Sequence, residues 1–256
     1  MNQRAQWRNF TLVLLALFPV VLIFISTMKG PGISVDSVSY AAAATSFAES
    51  GQLVTYDGTV LSLFPPGLPL SVGGVMRLGL PFPQIVVVMN ALAVAVTVIG
   101  AFLLARDVMG NEFWALLAAV VMSFLSSTVR VGSFFWTEPV FTALVTVTLV
   151  LVSRGIKKGS FGWINLSVIA ILVSLATSYR YVGVVAVPVV VGAVALGCRV
   201  RPVLKGITVG LLATLGFLLV VGRNISLGLP PFGDRYAGSV GLEGAIQGLL
   251  RNWGDY

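Results

Sequence analysis

Seven stretches of almost unbroken apolar residues run along the chain, at roughly 10–28, 84–105, 113–129, 137–153, 163–178, 181–197 and 206–222. About 20 consecutive apolar residues carry an α-helix across the hydrocarbon core of a bilayer. Membrane-spanning strands alternate lipid-facing and lumen-facing positions, and no period of two runs through these stretches. Hydrocarbon offers no water to satisfy backbone groups, so helices are the structure that remains. The pattern predicts an all-α, polytopic transmembrane helical bundle of about seven spans. The first run follows Arg4 and Arg8, is longer than the apolar part of a secretory signal, and ends at Ser26-Thr27-Met28, a poor cleavage site. It reads as a retained anchor.

Polar positions collect in two long segments, 29–83 and 223–256. Within the first, residues 36–50 predict a helix lying in the interface. Ser34 or Asp36 can cap its start, Ala41 to Ala44 favour helix, and Gly51 suits its stop. Tyr56-Asp57-Gly58 reads as a turn. After Phe64-Pro65-Pro66-Gly67, an apolar stretch to about Leu80 is too short to cross and predicts an in-plane helix or shallow re-entry. Residues 1–222 thus form one transmembrane module whose loop 29–83 carries interfacial helices. Residues 223–256 form a C-terminal segment on the same face as that loop, with Asp234-Arg235 as a surface pair.

Composition supports lipid as the surroundings. Of 256 residues, 57% are hydrophobic and only 10% charged, against about 45–50% apolar in an ordinary soluble domain. The formal net charge of +7 does not point to nucleic acid, because its distribution follows the membrane. Arg4, Arg8, Arg106, Arg154, Lys157, Lys158, Arg199, Arg201 and Lys205 crowd into short connections that alternate with the long segments. Short basic loops mark the cytoplasmic side. The N-terminus is therefore expected inside, the long segments outside, and the chain in the plasma (inner) membrane. Trp114, Trp136 and Trp163 stand near span ends and read as aromatic-belt anchors. The chain has no His and a lone Cys198, which reads as a small buried thiol with no internal disulfide partner.

None of the predicted spans carries an ionisable residue near its middle, where coupled transporters place the groups that bind ions. The charges stand at the outer ends of spans instead: Asp36 after the first, Arg130 ending the third, Glu138 starting the fourth, Arg180 between the fifth and sixth, and Arg223 ending the seventh. Two acids and three guanidinium groups at one depth suit transfer of a sugar from a lipid phosphate. Such a transfer needs Arg or a metal to stabilise the departing phosphate. It also needs a carboxylate to take the proton of a weakly nucleophilic hydroxyl. Asp36 is the expected base. Glu138 is expected to hold a divalent metal (Mg or Mn) or the acceptor, with Thr142 and Thr146 continuing its stripe.

Several motifs in chain order resemble the GT-C superfamily of membrane glycosyltransferases, among them protein O-mannosyltransferases and lipid A aminoarabinose transferase. They are Asp36 with Tyr40 and Ala41 to Ala44, Phe64-Pro65-Pro66-Gly67, Trp136-Thr137-Glu138-Pro139, Arg180 with Gly183, and Arg223-Asn224 with Gly228 and Pro230. The resemblance implies a sugar donor linked to polyprenyl phosphate, Asp36 as catalytic acid of the first outer loop, Glu138 as the second acid, and Arg180 on the donor phosphate. The expected catalytic residues are thus Asp36 and Glu138, and the expected substrate-binding set is Tyr40, Arg130, Arg180, Arg223 and Asn224. Protein O-mannosyltransferases carry an Asp-Glu pair where this chain has Asp36-Ser37, so a lipid or glycan acceptor is expected. The superfamily is usually longer than this chain, so a continuation or a partner subunit is expected, and a non-catalytic lipid-phosphate-binding subunit of the same fold is the alternative.

Overall fold

The computed structural model describes residues 3–233, and among them it is helical throughout, with two isolated bridges and no strand. Asp234, Arg235 and most of the predicted C-terminal segment lie outside the described residues. The chain opens with α1 (Gln3–Ser26), then α2 (Val35–Ser50) and α3 (Gly67–Met76) in the long loop. There follow α4 (Phe82–Met109), α5 (Glu112–Phe124), α6 (Ser126–Ser133), α7 (Glu138–Lys158) and α8 (Trp163–Tyr179). A 3-10 turn (Tyr181–Val185) leads into α9 (Ala186–Gly197), and α10 (Pro202–Ser226) closes the bundle.

Helices occupy all seven apolar stretches, but the span count falls. Among the described residues, four helices are long and apolar enough to cross a membrane: α1 over Ala5–Ser26, α4, α7 and α10. Counting α5 and α6 as one broken span gives five. The predicted third span breaks because Leu125 leaves helical geometry, at φ −67° and ψ 117°, and the two halves meet at 52°. The serines and threonine that follow it, Ser126, Ser127 and Thr128, favour such a fresh start over helix interior. The fifth and sixth stretches form shorter apolar helices. At 1.5 Å per residue, α8 reaches about 25 Å, short of the ~30 Å of hydrocarbon.

Contacts define two faces. At one end Arg8 pairs with Glu112, Arg154 donates to Asp107 at 3.0 Å, and the Arg199 amide donates to the Gly159 carbonyl. The loop 29–83 lies at the other. Central α4 packs on α1, α5 and α7, while α8 packs on α7 and α10. Beneath the long loop a separate core gathers Tyr40, Ala44, Leu61, Phe64, Leu68, Val72, Phe135 and Tyr179. This core fixes α2 and α3 onto the bundle and so places the loop's polar residues.

The loop's details follow its sequence. Ser34 is the N-cap of α2, in a capping box with Ser37, while Asp36 stands within the first turn. Gly51 closes the helix at φ 80°, a conformation glycine adopts without penalty. The turn at Tyr56-Asp57-Gly58 forms, tied by Thr55 and Thr59 to the Asp57 carboxylate. Gly67 has a steric reason to be glycine. A Cβ there would come within 2.4 Å of the Ser178 carbonyl oxygen, so only glycine lets the start of α3 rest on the end of α8.

Candidate active site

Two extended pieces of backbone build one wall of the site. Gly32 and Phe134 form a parallel bridge, with the Gly32 amide donating to Ser133 and the Phe135 amide to Gly32. Side chains extend that tie upward. The Trp136 indole donates to Ser34 Oγ at 2.8 Å, and the Ser37 hydroxyl donates to the Phe135 carbonyl at 2.9 Å. From below, the buried Asn90 of α4 donates through Nδ2 to the carbonyls of Gly132 and Phe134, at 3.0 and 2.7 Å. The first turn of α2 and the entry to α7 are therefore held as one unit. Asp36 lies on the first and Glu138 on the second.

The other wall comes from the end of α8. Arg180 breaks the helix with extended geometry, φ −147° and ψ 129°, and a tight 3-10 turn follows. Gly183 makes that turn possible, since a Cβ there would lie 2.6 Å from the Thr177 nitrogen. The Arg180 side chain reaches back to α7. Its Nη1 pairs with Glu138 and donates to Thr137 Oγ1 at 3.2 Å, while the guanidinium lies 5.9 Å from the centre of the Phe141 ring.

Between these walls lies a cavity of about 570 Å³ that Asp36, Tyr40, Trp136, Glu138, Arg180 and Tyr181 help to line. Its aromatic lining is well supported. The buried Tyr40 ring packs 4.7 Å from Phe64 and 6.1 Å from Phe135. The Tyr179 and Ser71 hydroxyls stand 2.6 Å apart. The arrangement offers a carboxylate on one side, a guanidinium fork on another and flat aromatic surface beneath. Carboxylates accept protons from hydroxyls, guanidinium matches phosphate oxygens, and aromatic faces give rigid apolar contact area.

Four of the expected site residues meet here: Asp36, Tyr40, Glu138 and Arg180. Arg130 lines a different groove, between α1 and α5–α6. Arg223 donates to the Leu61 carbonyl at 2.9 Å and to Asn224 Oδ1 at 3.0 Å. The buried Asn224 donates to Pro231 and to the Tyr181 hydroxyl, so it touches the cavity through Tyr181. The Glu138 stripe turns away from the cavity. Thr146 packs under Gly100 of α4, and Thr142 lines a small cavity with Thr97. Glu138 is engaged by Arg180, and no cluster of three metal-ligating side chains occurs among the described residues. The acids present are thus a poor fit to a divalent ion on their own.

Sequence reading passed over several residues that shape the site. Trp136 is a wall of the cavity and a donor to Ser34, beyond any role as a belt anchor. Asn90 and Tyr179 carried no motif, and Ser37 had entered only as the residue that follows Asp36. Asn90 left a visible signal, an amide in the middle of an apolar run, where unpaired polar groups are expensive. Its Oδ1 is buried without a hydrogen-bond partner among the described residues.

A family model described as dolichyl-phosphate-mannose-protein mannosyltransferase matches residues 65–224. The matched stretch takes in Trp136, Glu138, Arg180 and Asn224 and begins after Asp36 and Tyr40. No curated protein matches the chain.

Proposed function

Because the chain belongs to the dolichyl-phosphate-mannose-protein mannosyltransferase family, a membrane glycosyltransferase family of the GT-C type, we propose that it transfers a sugar from a polyprenyl-phosphate-linked donor to an acceptor hydroxyl. One observation carries this reading: the Asp36 carboxylate and the Arg180 guanidinium line the same cavity. The basic short loops support a cytoplasmic N-terminus and a site on the outer face of the inner membrane. A lipid or glycan acceptor fits Ser37, which completes the capping box of α2 with Ser34 and has no acidic side chain to add.

The proposed step is a single displacement with inversion. The acceptor oxygen attacks the anomeric carbon as the bond from that carbon to the phosphate oxygen breaks. Asp36 takes the hydroxyl proton, which removes the positive charge that would build on the attacking oxygen. Arg180 meets the charge that gathers on the departing polyprenyl phosphate. Glu138 and Thr137 hold the Arg180 fork in place. Glu138 is thereby a positioning residue, and no part of the step is routed through a metal.

Purified protein in proteoliposomes, supplied with polyprenyl-phosphate sugars and lipid or glycan acceptors, tests the reading. The wild type should form product, and Asp36→Asn, which keeps the shape and removes the base, should form none. Full transfer by Asp36→Asn would end the assignment of Asp36. Donor binding without turnover in the wild type, with partner subunits supplied, would favour a non-catalytic lipid-phosphate-binding subunit.

A further inference from the structure

The break at Leu125 has a second effect, on the far side of the Gly32–Phe134 wall. There α6 turns away from the line of α5, and a groove of about 720 Å³ lies between these helices and α1. Its deeper part is apolar. Phe18 and Phe124 stack with ring centres 4.5 Å apart, and Leu22 and Val129 line the groove with them. Toward the long loop it becomes polar. The Ser26 and Ser133 hydroxyls stand 2.6 Å apart, and Arg130, three residues before Ser133, lines the groove, as does Ser126 at the start of α6.

Arg130 is exposed, and among the described residues it forms no ion pair or hydrogen bond. It differs in this from Arg180, which Glu138 holds, and from Arg223, which the Leu61 carbonyl holds. An apolar channel topped by hydroxyls and an uncommitted guanidinium has the polarity of a phospholipid. Acyl chains fit the Phe18, Leu22 and Phe124 surface, and phosphate oxygens accept from a planar guanidinium.

We propose that this groove is a binding site for one anionic membrane phospholipid, its chains along α1 and α5 and its phosphate on Arg130. The apolar length of the groove selects a lipid over free phosphate. Net negative headgroup charge is favoured because Arg130 meets it, exposed Lys29 adjoins groove-lining Gly30, and no carboxylate is among the described residues that line the groove. The site is distinct from the sugar-transfer cavity and shares a wall with it. Gly32 and Phe134 line the groove, whereas Ser34 and Trp136, two residues further along each segment, line the cavity.

Native mass spectrometry of the full chain, equilibrated with equal amounts of phosphatidylglycerol and phosphatidylcholine, tests the proposal. The wild type should retain one phosphatidylglycerol with a preference of roughly tenfold, the scale of one charge-assisted hydrogen-bonded contact. Arg130→Gln should bring the two lipids close to parity, and Ser126→Trp, which fills the groove, should reduce retention of both. Arg77→Gln is the control, because that guanidinium is already spent on the Phe47 carbonyl at 2.7 Å, and it should leave the preference intact. A preference that survives Arg130→Gln, or that Arg77→Gln removes equally, would overturn the proposal.

Discussion

Gly67→Ala and Gly74→Ala lie on the same ten-residue helix, α3, and should move stability in opposite directions. A Cβ on Gly67 would stand 2.4 Å from the Ser178 carbonyl oxygen and 2.6 Å from its carbon. Both are backbone atoms and cannot swing aside as a side chain can. Either α3 or the end of α8 has to shift, and such overpacking costs about 1–3 kcal/mol. A Cβ on Gly74 meets nothing within 4 Å, so alanine there only removes the entropic cost of glycine in a helix, a gain of about 0.5–1 kcal/mol. The two variants should therefore differ by roughly 1.5–4 kcal/mol. Cys198 provides the assay, since it is the chain's single cysteine and only 5% exposed. A thiol-reactive dye followed during heating in detergent reports unfolding without any introduced label. Equal midpoints for the two variants, or a more stable Gly67→Ala, would refute the packing argument. Because Ser178 stands two residues before Arg180, at the end of α8, Gly67→Ala should also weaken donor binding, while Gly74→Ala should not.

Two further outcomes follow from the loop and its support. Asn90→Leu removes both amide donors to the Gly132 and Phe134 carbonyls and should lower stability by about 1–3 kcal/mol, read in the same melt; an unchanged midpoint would show that the wall stands without it. The Asp57 carboxyl is lowered from 3.8 to about 2, chiefly by the Thr55 hydroxyl, then by the Thr59 hydroxyl and amide. Its folded form holds a proton less tightly than its unfolded form, so its support of the turn is complete above about pH 4 and fades as pH falls toward 2. Pepsin should cut within residues 54–60 at pH 2 and spare them at pH 4, whereas Asp57→Asn should be cut at both. Cleavage of the wild type that does not vary over that range would contradict this.

Much of the loop was legible because its signals are local. Ser34 and Gly51 bound α2 through backbone geometry that a cap residue and a left-handed glycine each specify alone, and Tyr56-Asp57-Gly58 needs only its immediate neighbours. The helix positions were legible from the apolar runs, but their lengths were not. Run length counts apolar residues and does not register where backbone geometry breaks, as it does at Leu125 and in the 3-10 turn Tyr181–Val185. The convergence of Asp36, Tyr40, Glu138 and Arg180 was partly legible, since charges at span ends on one face share a depth. Depth does not fix the position around the bundle. For that reason Arg130 stands in the α1–α6 groove, and Arg223 is tied to Leu61. The Glu138–Arg180 pair was hidden for the same reason, because it joins residues 42 positions apart through the meeting of α7 and α8. Asn90 acts across a similar separation on carbonyls that no sequence motif marks.

The division of labour between Asp36 and Arg180 is most directly tested by titrating polyprenyl phosphate into the wild type, Asp36→Asn and Arg180→Gln, with the fluorescence of Trp136 in the cavity wall as reporter. Asp36→Asn should bind as well as the wild type, because its carboxylate serves the acceptor. Arg180→Gln should bind about 10–100-fold more weakly, the loss of a charge-assisted contact, with little change in stability because the Glu138 pair is partly exposed. Equal binding by all three proteins would contradict the placement of the lipid phosphate on Arg180.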